Sequence, residues 1–133
     1  MSFALRNDGT VFEWGKQTFL LPPDSCVKMP TEVRNLENIV QISAHGIHAL
    51  ALSSAGEIWR WGSVFFAPGD NWEWPHQTPS FPNPSKIIAG SADIFISKEN
   101  EIWTAEVGEI GGRYHYNGKT KCIVSIENMN SFK

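Results

Sequence analysis

An all-β fold of three antiparallel, propeller-like blades is predicted by three features of this 133-residue chain. The first is a repeat. His48-Ala-Leu-Ala-Leu-Ser-Ser-Ala-Gly-Glu-Ile-Trp-Arg-Trp-Gly62 has an upstream copy in Ser2–Gly15, with Gly9/Gly56 and Gly15/Gly62 at a common offset (56−9 = 47, 62−15 = 47). A drifted third copy, Asp93–Glu106, keeps Glu-Ile-Trp and puts Asn100 at the turn. The second is periodicity: apolar residues alternate on both sides of a Gly or Asn able to take positive φ, the pattern of strand, tight turn, strand. The third is that both faces of the second strand are apolar (Ile58, Trp59 and Trp61; Val11, Phe12 and Trp14). A sheet covered on both sides needs this, and radially stacked blades are built from such sheets.

The elements follow in order as one domain, 1–133, with repeats at about 1–47, 48–91 and 92–133. Met1–Gly15 is hairpin one. Lys16–Met29 reads as a loop, because Pro22-Pro23 forbids a central strand or a helix interior. Glu37–Ile42 is a short buried strand feeding hairpin two, which closes at Gly62. Ser63–Ser85 is a second loop, rich in proline and aromatics. Lys86–Gly90 leads into hairpin three, and Val107–Lys119 is a third loop in which Tyr114-His-Tyr-Asn-Gly118 could form a small hairpin of its own. Ile123-Val-Ser-Ile126 matches Ile39-Val-Gln-Ile42 (123−39 = 84). That match predicts a blade divided between the chain ends. Three blades are too few to close a ring, so the expectation is an open arc or a ring completed by oligomerisation, two chains exchanging terminal strands.

The stretch Ile42–Gly62, I-x-A-x-G-x-H-x-L-A-L-x-x-x-G-x-I-W-x-W-G, resembles the repeat of the regulator-of-chromosome-condensation-1 (RCC1) family. The resemblance covers Met1–Gly15, Pro30–Gly62 and Lys86–Glu106 and implies β-propeller blades. The family's Asn-x-x-Gly-Gln-Leu-Gly after Trp-Gly is absent at Gly15 and Gly62, so its nucleotide exchange on a small GTPase is not carried over. In the resembling pattern His48 has a structural slot, hydrogen-bonding within its blade.

A net charge of −3 gives no basic footprint for nucleic acid or an anionic membrane, and points instead to a basic protein partner. No run is long enough to cross a bilayer and the first residues do not form a secretory leader, so the expected location is the cytoplasm. Cys26 and Cys122 are expected to be reduced thiols.

No catalytic signature stands out: there is no G-x-S-x-G, P-loop or G-x-G-x-x-G, and no carboxylate spacing demands an acid/base pair. His45 and His48 lack a third ligand nearby, so neither a metal site nor a cofactor is expected. Trp14, Trp59, Trp61 and Trp103 fall in repeat-equivalent strands and read as core.

The three loops occupy equivalent points of the repeat and should emerge on one rim. They would present Phe19, Leu20, Phe65, Phe66, Trp72, Trp74, Tyr114 and Tyr116, with Asp24, Asp70 and Glu73 among them. Aromatic anchors ringed by acids are how interfaces concentrate affinity and steer basic partners. The expected function is a non-catalytic protein-binding module, such as an immunity-type inhibitor that occludes a toxin or basic enzyme. The alternatives are a self-assembling homodimeric scaffold and a carbohydrate or small-ligand site using Trp72, Trp74 and Tyr116 as stacking platforms.

Overall fold

The computed structural model describes residues 1–16, 26–46, 48–62, 75–78, 80–107 and 114–119. They form three antiparallel sheets, and no helix occurs among them. Blade one holds β1 (Ser2–Leu5), β2 (Val11–Lys16) and β3 (Cys26–Glu32), in that spatial order. Blade two runs β4 (Ile39–His45), β5 (His48–Ser53), β6 (Ile58–Gly62) and β7 (His76–Gln77). Blade three runs β8 (Pro84–Ile88), β9 (Asp93–Ser97), β10 (Ile102–Val107) and β11 (Tyr114–Lys119).

The predicted hairpins are present and share one turn geometry. Ser53 N donates to Glu57 O and Gly56 N to Ser53 O. The same pair of bonds recurs as Arg6 N to Thr10 O with Gly9 N to Arg6 O, and as Ser97 N to Glu101 O with Asn100 N to Ser97 O. Gly9, Gly56 and Asn100 hold the positive φ at the equivalent position (87°, 85° and 61°), and Asn tolerates that region better than other side chains do.

Two expected loops contain strand. Cys26–Glu32 and Tyr114–Lys119 are outer strands, pairing with β2 and β10. Pro30 fits β3, and Pro84 fits β8, because both strands are sheet edges where a missing amide costs no ladder bond. The second and third sheets each begin one strand before the repeat unit does, with β4 and β8.

The interior lies between blades. β5 is buried along its whole length, and alternation sends its side chains to opposite faces. Ala49 and Ala51 join Val11, Val33, Leu36, Ile39 and Trp61 in the core between blades one and two. Leu50 and Leu52 join Ile58, Phe81, Ile87, Ala89 and Phe95 between blades two and three. Two apolar faces on one strand pair, read from the sequence, thus become two cores. Trp61 is buried and Trp14, Trp59 and Trp103 are partly buried.

Candidate functional site

The connections β2–β3, β6–β7 and β10–β11 occupy the same place in each blade. Since strands alternate in direction, all three leave the sheets at the end opposite the tight turns. Of the residues assigned to the predicted rim, Phe19, Leu20, Asp24, Phe65, Phe66, Asp70, Trp72, Glu73 and Trp74 lie outside the described residues. Tyr114 and Tyr116 are on β11, opposite Val107 and Ala105, so they are outer-strand residues of blade three rather than loop residues.

The β4–β5 turn reaches the same end. Gly46 makes it at φ 57°, leaving His45 exposed and His48 buried with ring centres 6.1 Å apart. Just beneath, His48 Nε2 lies 2.7 Å from Asp93 Oδ1 and Arg60 Nε donates to Asp93 Oδ2 at 3.3 Å. Gly90 N adds a bond to Oδ1 at 3.1 Å. The three side chains are only 2–5% exposed.

Burial by itself would raise the Asp93 carboxyl. The His48 hydrogen bond and charge, the Gly90 amide and the Arg60 guanidinium outweigh that and hold it below the usual carboxylate range. The arrangement keeps a carboxylate ionised in the interior and ties blade two to blade three. It contains no nucleophile, and among the described residues no group of three or more His, Cys, Asp or Glu could hold a metal.

His48 thus departs from the expected bond within its own blade: its partner is the first residue of β9 in the next one. Arg60 and Asp93 were missed by sequence reasoning altogether. A signal existed for Asp93, whose repeat equivalents are Ser2 and Ala49 (49−2 = 47, 93−49 = 44). An acid replacing a small residue at an inward position calls for a buried cation.

The two junctions differ. Between blades one and two, Trp61 Nε1 donates to Glu13 Oε2 at 3.3 Å and Phe3 meets the Trp61 ring edge-on at 5.7 Å. At the tight-turn end of that junction, Ile39 N donates to Gly9 O at 3.2 Å. The equivalent of Ile39 at the second junction is Pro84, which has no backbone N–H to donate and rests near Gly56. A cleft of about 850 Å³, lined by Leu52, Glu57, Phe81, Asn83 and Lys98 among others, opens there. It lies at the end away from the loops.

No family profile matches the chain. A curated human protein, the probable E3 ubiquitin-protein ligase HERC6, is 41% identical over 68 residues, covering 47% of this chain and 7% of that protein. Among solved structures, the chain superposes on yeast RCC1 (Prp20), in its structure bound to Kap60, with TM-score 0.67 and 19% identity, over 92% of this chain and 35% of that one. Prp20p from Saccharomyces cerevisiae, in a structure reported with its binding to Gsp1p and histones, gives TM-score 0.62 and 18% identity over 80% and 31%. Human WBSCR16 gives 0.62 and 18% over 83% and 32%. The chain spans about a third of the solved structures it matches and 7% of the curated relative.

Proposed function

From the blade fold of an RCC1-type β-propeller, which this chain carries in three copies, we propose that it works as a non-catalytic module binding a protein partner through its loop-bearing rim. The observation that supports this reading is that the strand ends flanking the β2–β3, β6–β7 and β10–β11 connections lie at the same end of the three sheets. A rigid base lies under them, locked by the buried His48–Asp93–Arg60 set. Rigid sheets that project variable loops are a recurrent way of building a recognition surface. Yeast RCC1, whose structures include Kap60 and a study of binding to Gsp1p and histones, supports a protein as the partner class.

The net charge of −3 and the acids Asp24, Asp70 and Glu73 in the loop segments favour a basic partner. The finer reading is a cytoplasmic, immunity-type inhibitor that covers the working face of a toxin or enzyme. Affinity capture with the purified chain, followed by native mass spectrometry of the eluate, tests it. One basic protein held at one-to-one stoichiometry is the expected result, and loss of its activity in the complex is expected if the role is inhibition. Recovery of the chain alone overturns the reading.

A further inference from the structure

The cleft between blades two and three exists because the two junctions close differently at the tight-turn end. At the first, Ile39 N bonds to Gly9 O. At the second, Pro84 takes the place of Ile39 and has nothing to donate, so that bridge is not made. Blade two lines the opening with residues 53–58, and blade three with residues 83–85 and Lys98. Leu52, Ile58 and Phe81 expose the edge of the apolar core to it. Val40, also in the lining, is an apolar side chain left 57% exposed.

The polar part of the lining has a definite charge pattern. Among the described residues Lys98 is its one cation and Glu57 its one carboxylate, and they stand on the turns of different blades. Neither joins a salt bridge to another described residue. Glu57 Oε2 accepts only a long bond from Ser53 Oγ, at 3.3 Å. One charge of each sign across a cleft complements a ligand that carries both.

This lining selects among ligand classes. A nucleotide would bring several phosphate charges to a single cation, with a carboxylate opposing them. A sugar or a base would need an open aromatic face, whereas the one aromatic ring in the lining, Phe81, is buried against Phe95 and Trp103. A lipid tail would leave Glu57 and Lys98 without partners. An extended peptide suits it: main-chain N–H and C=O groups match the hydroxyls and amides of Ser54, Gln77, Ser80 and Ser85, and its side chains can supply both charges. A volume of about 850 Å³ exceeds what a single amino acid fills and lies within the range of roughly 300–1,000 Å³ used for larger ligands.

We propose that this cleft is a second binding site, taking an extended peptide segment of a partner that sets a basic residue against Glu57, an acidic residue against Lys98 and an apolar side chain on Val40. The site goes beyond the rim reading: it lies at the opposite end of the sheets and shares no residue with the set assigned to the rim.

The test uses the full chain and a library of N-acetylated, C-amidated hexapeptides randomised at every position, selected in parallel on the parent and on Ser85→Trp. Ser85 is exposed, so the indole fills the cleft from its wall, and an unchanged melting temperature verifies that the core is intact. Peptides enriched on the parent over the variant are expected to share a base, an apolar residue and an acid. In calorimetry with the consensus peptide, Glu57→Gln and Lys98→Gln should each weaken binding by up to about fivefold, as loss of one partly exposed ion pair does, and Glu57→Lys combined with Lys98→Glu should favour a peptide with its acid and base exchanged. No enrichment over Ser85→Trp overturns the proposal. So does a consensus peptide whose affinity is indifferent to both Gln variants. Trp72→Ala and Trp74→Ala are expected to leave peptide affinity unchanged, and Ser85→Trp to leave rim binding unchanged, so the failure of either site is read separately.

Discussion

Asp93 Oδ1 sits 2.7 Å from His48 Nε2, although the two residues are 45 apart in sequence and belong to different sheets. With Arg60 on the other carboxylate oxygen, this contact is a buried charged bolt beside the apolar core of the junction, which Gln41 Oε1 and Ser43 Oγ also cross by accepting from Ile87 N and Ala89 N. Removing one member of a buried charged set leaves the others uncompensated, a loss of about 3–5 kcal/mol. Asp93→Ala is therefore expected to destabilise by that order in urea denaturation. Replacing all three with apolar residues of similar volume should recover most of the loss. If Asp93→Ala leaves the midpoint unchanged, the contact contributes no stability.

The same carboxyl gives a pH dependence with a definite sign. Its folded pKa is held below the ordinary aspartate value of about 3.9. Its contribution is therefore complete above that value and disappears as pH falls through the folded pKa. Thermal melts from neutral to acid pH should show the Asp93 part of stability constant until the pH drops below the ordinary aspartate range. Asp93→Asn should remove that part of the slope and no other.

Gly9 and Gly56 are equivalent in sequence but not in surroundings. A Cβ at Gly9 would lie 3.0 Å from Asn38 Cα and from Ile39 N, while at Gly56 the nearest atom is Pro84 Cδ at 3.6 Å. Both have positive φ, so an alanine at either meets left-handed strain of roughly 1–2 kcal/mol. Gly9→Ala is expected to cost more than Gly56→Ala, because backbone must also move. Equal shifts in denaturation midpoint would contradict the packing at the first junction.

Phe95 is fully buried, 5.5 Å from the Phe81 ring centre, in the core between blades two and three. Truncation to Ala should cost about 3–5 kcal/mol, with the loss read in chemical denaturation. Val40, by contrast, is 57% exposed, and Val40→Ala should fall within about 0.5 kcal/mol of the parent.

For the rim, Trp72→Ala and Trp74→Ala are expected to weaken partner binding by about 2 kcal/mol or more each, as interface anchors do, while the melting temperature holds. Unchanged affinity by calorimetry would move the binding site off this segment.

The blades were legible because their signals are local. A Gly or Asn at a fixed point between alternating apolar residues specifies a hairpin wherever it occurs, and the recurrence of Gly9 and Gly15 at Gly56 and Gly62 exposes the repeat. The outer strands Cys26–Glu32 and Tyr114–Lys119 were not legible, since they carry Pro30 or a Tyr-rich stretch and take their conformation from pairing with β2 and β10. The joint was only half legible. His48 could be assigned a structural role from its place in the repeat, but its partner comes from another sheet, and Arg60 looks like a solvent-facing residue until Asp93 is placed opposite it.

The two apolar cores described above belong to junctions, and neither is the property of a blade. Cutting the chain at a blade boundary would therefore divide no interior cleanly: it would strip one wall from a core and leave the other wet. Blade two is walled on both sides, so a change in it will be felt at both of its neighbours.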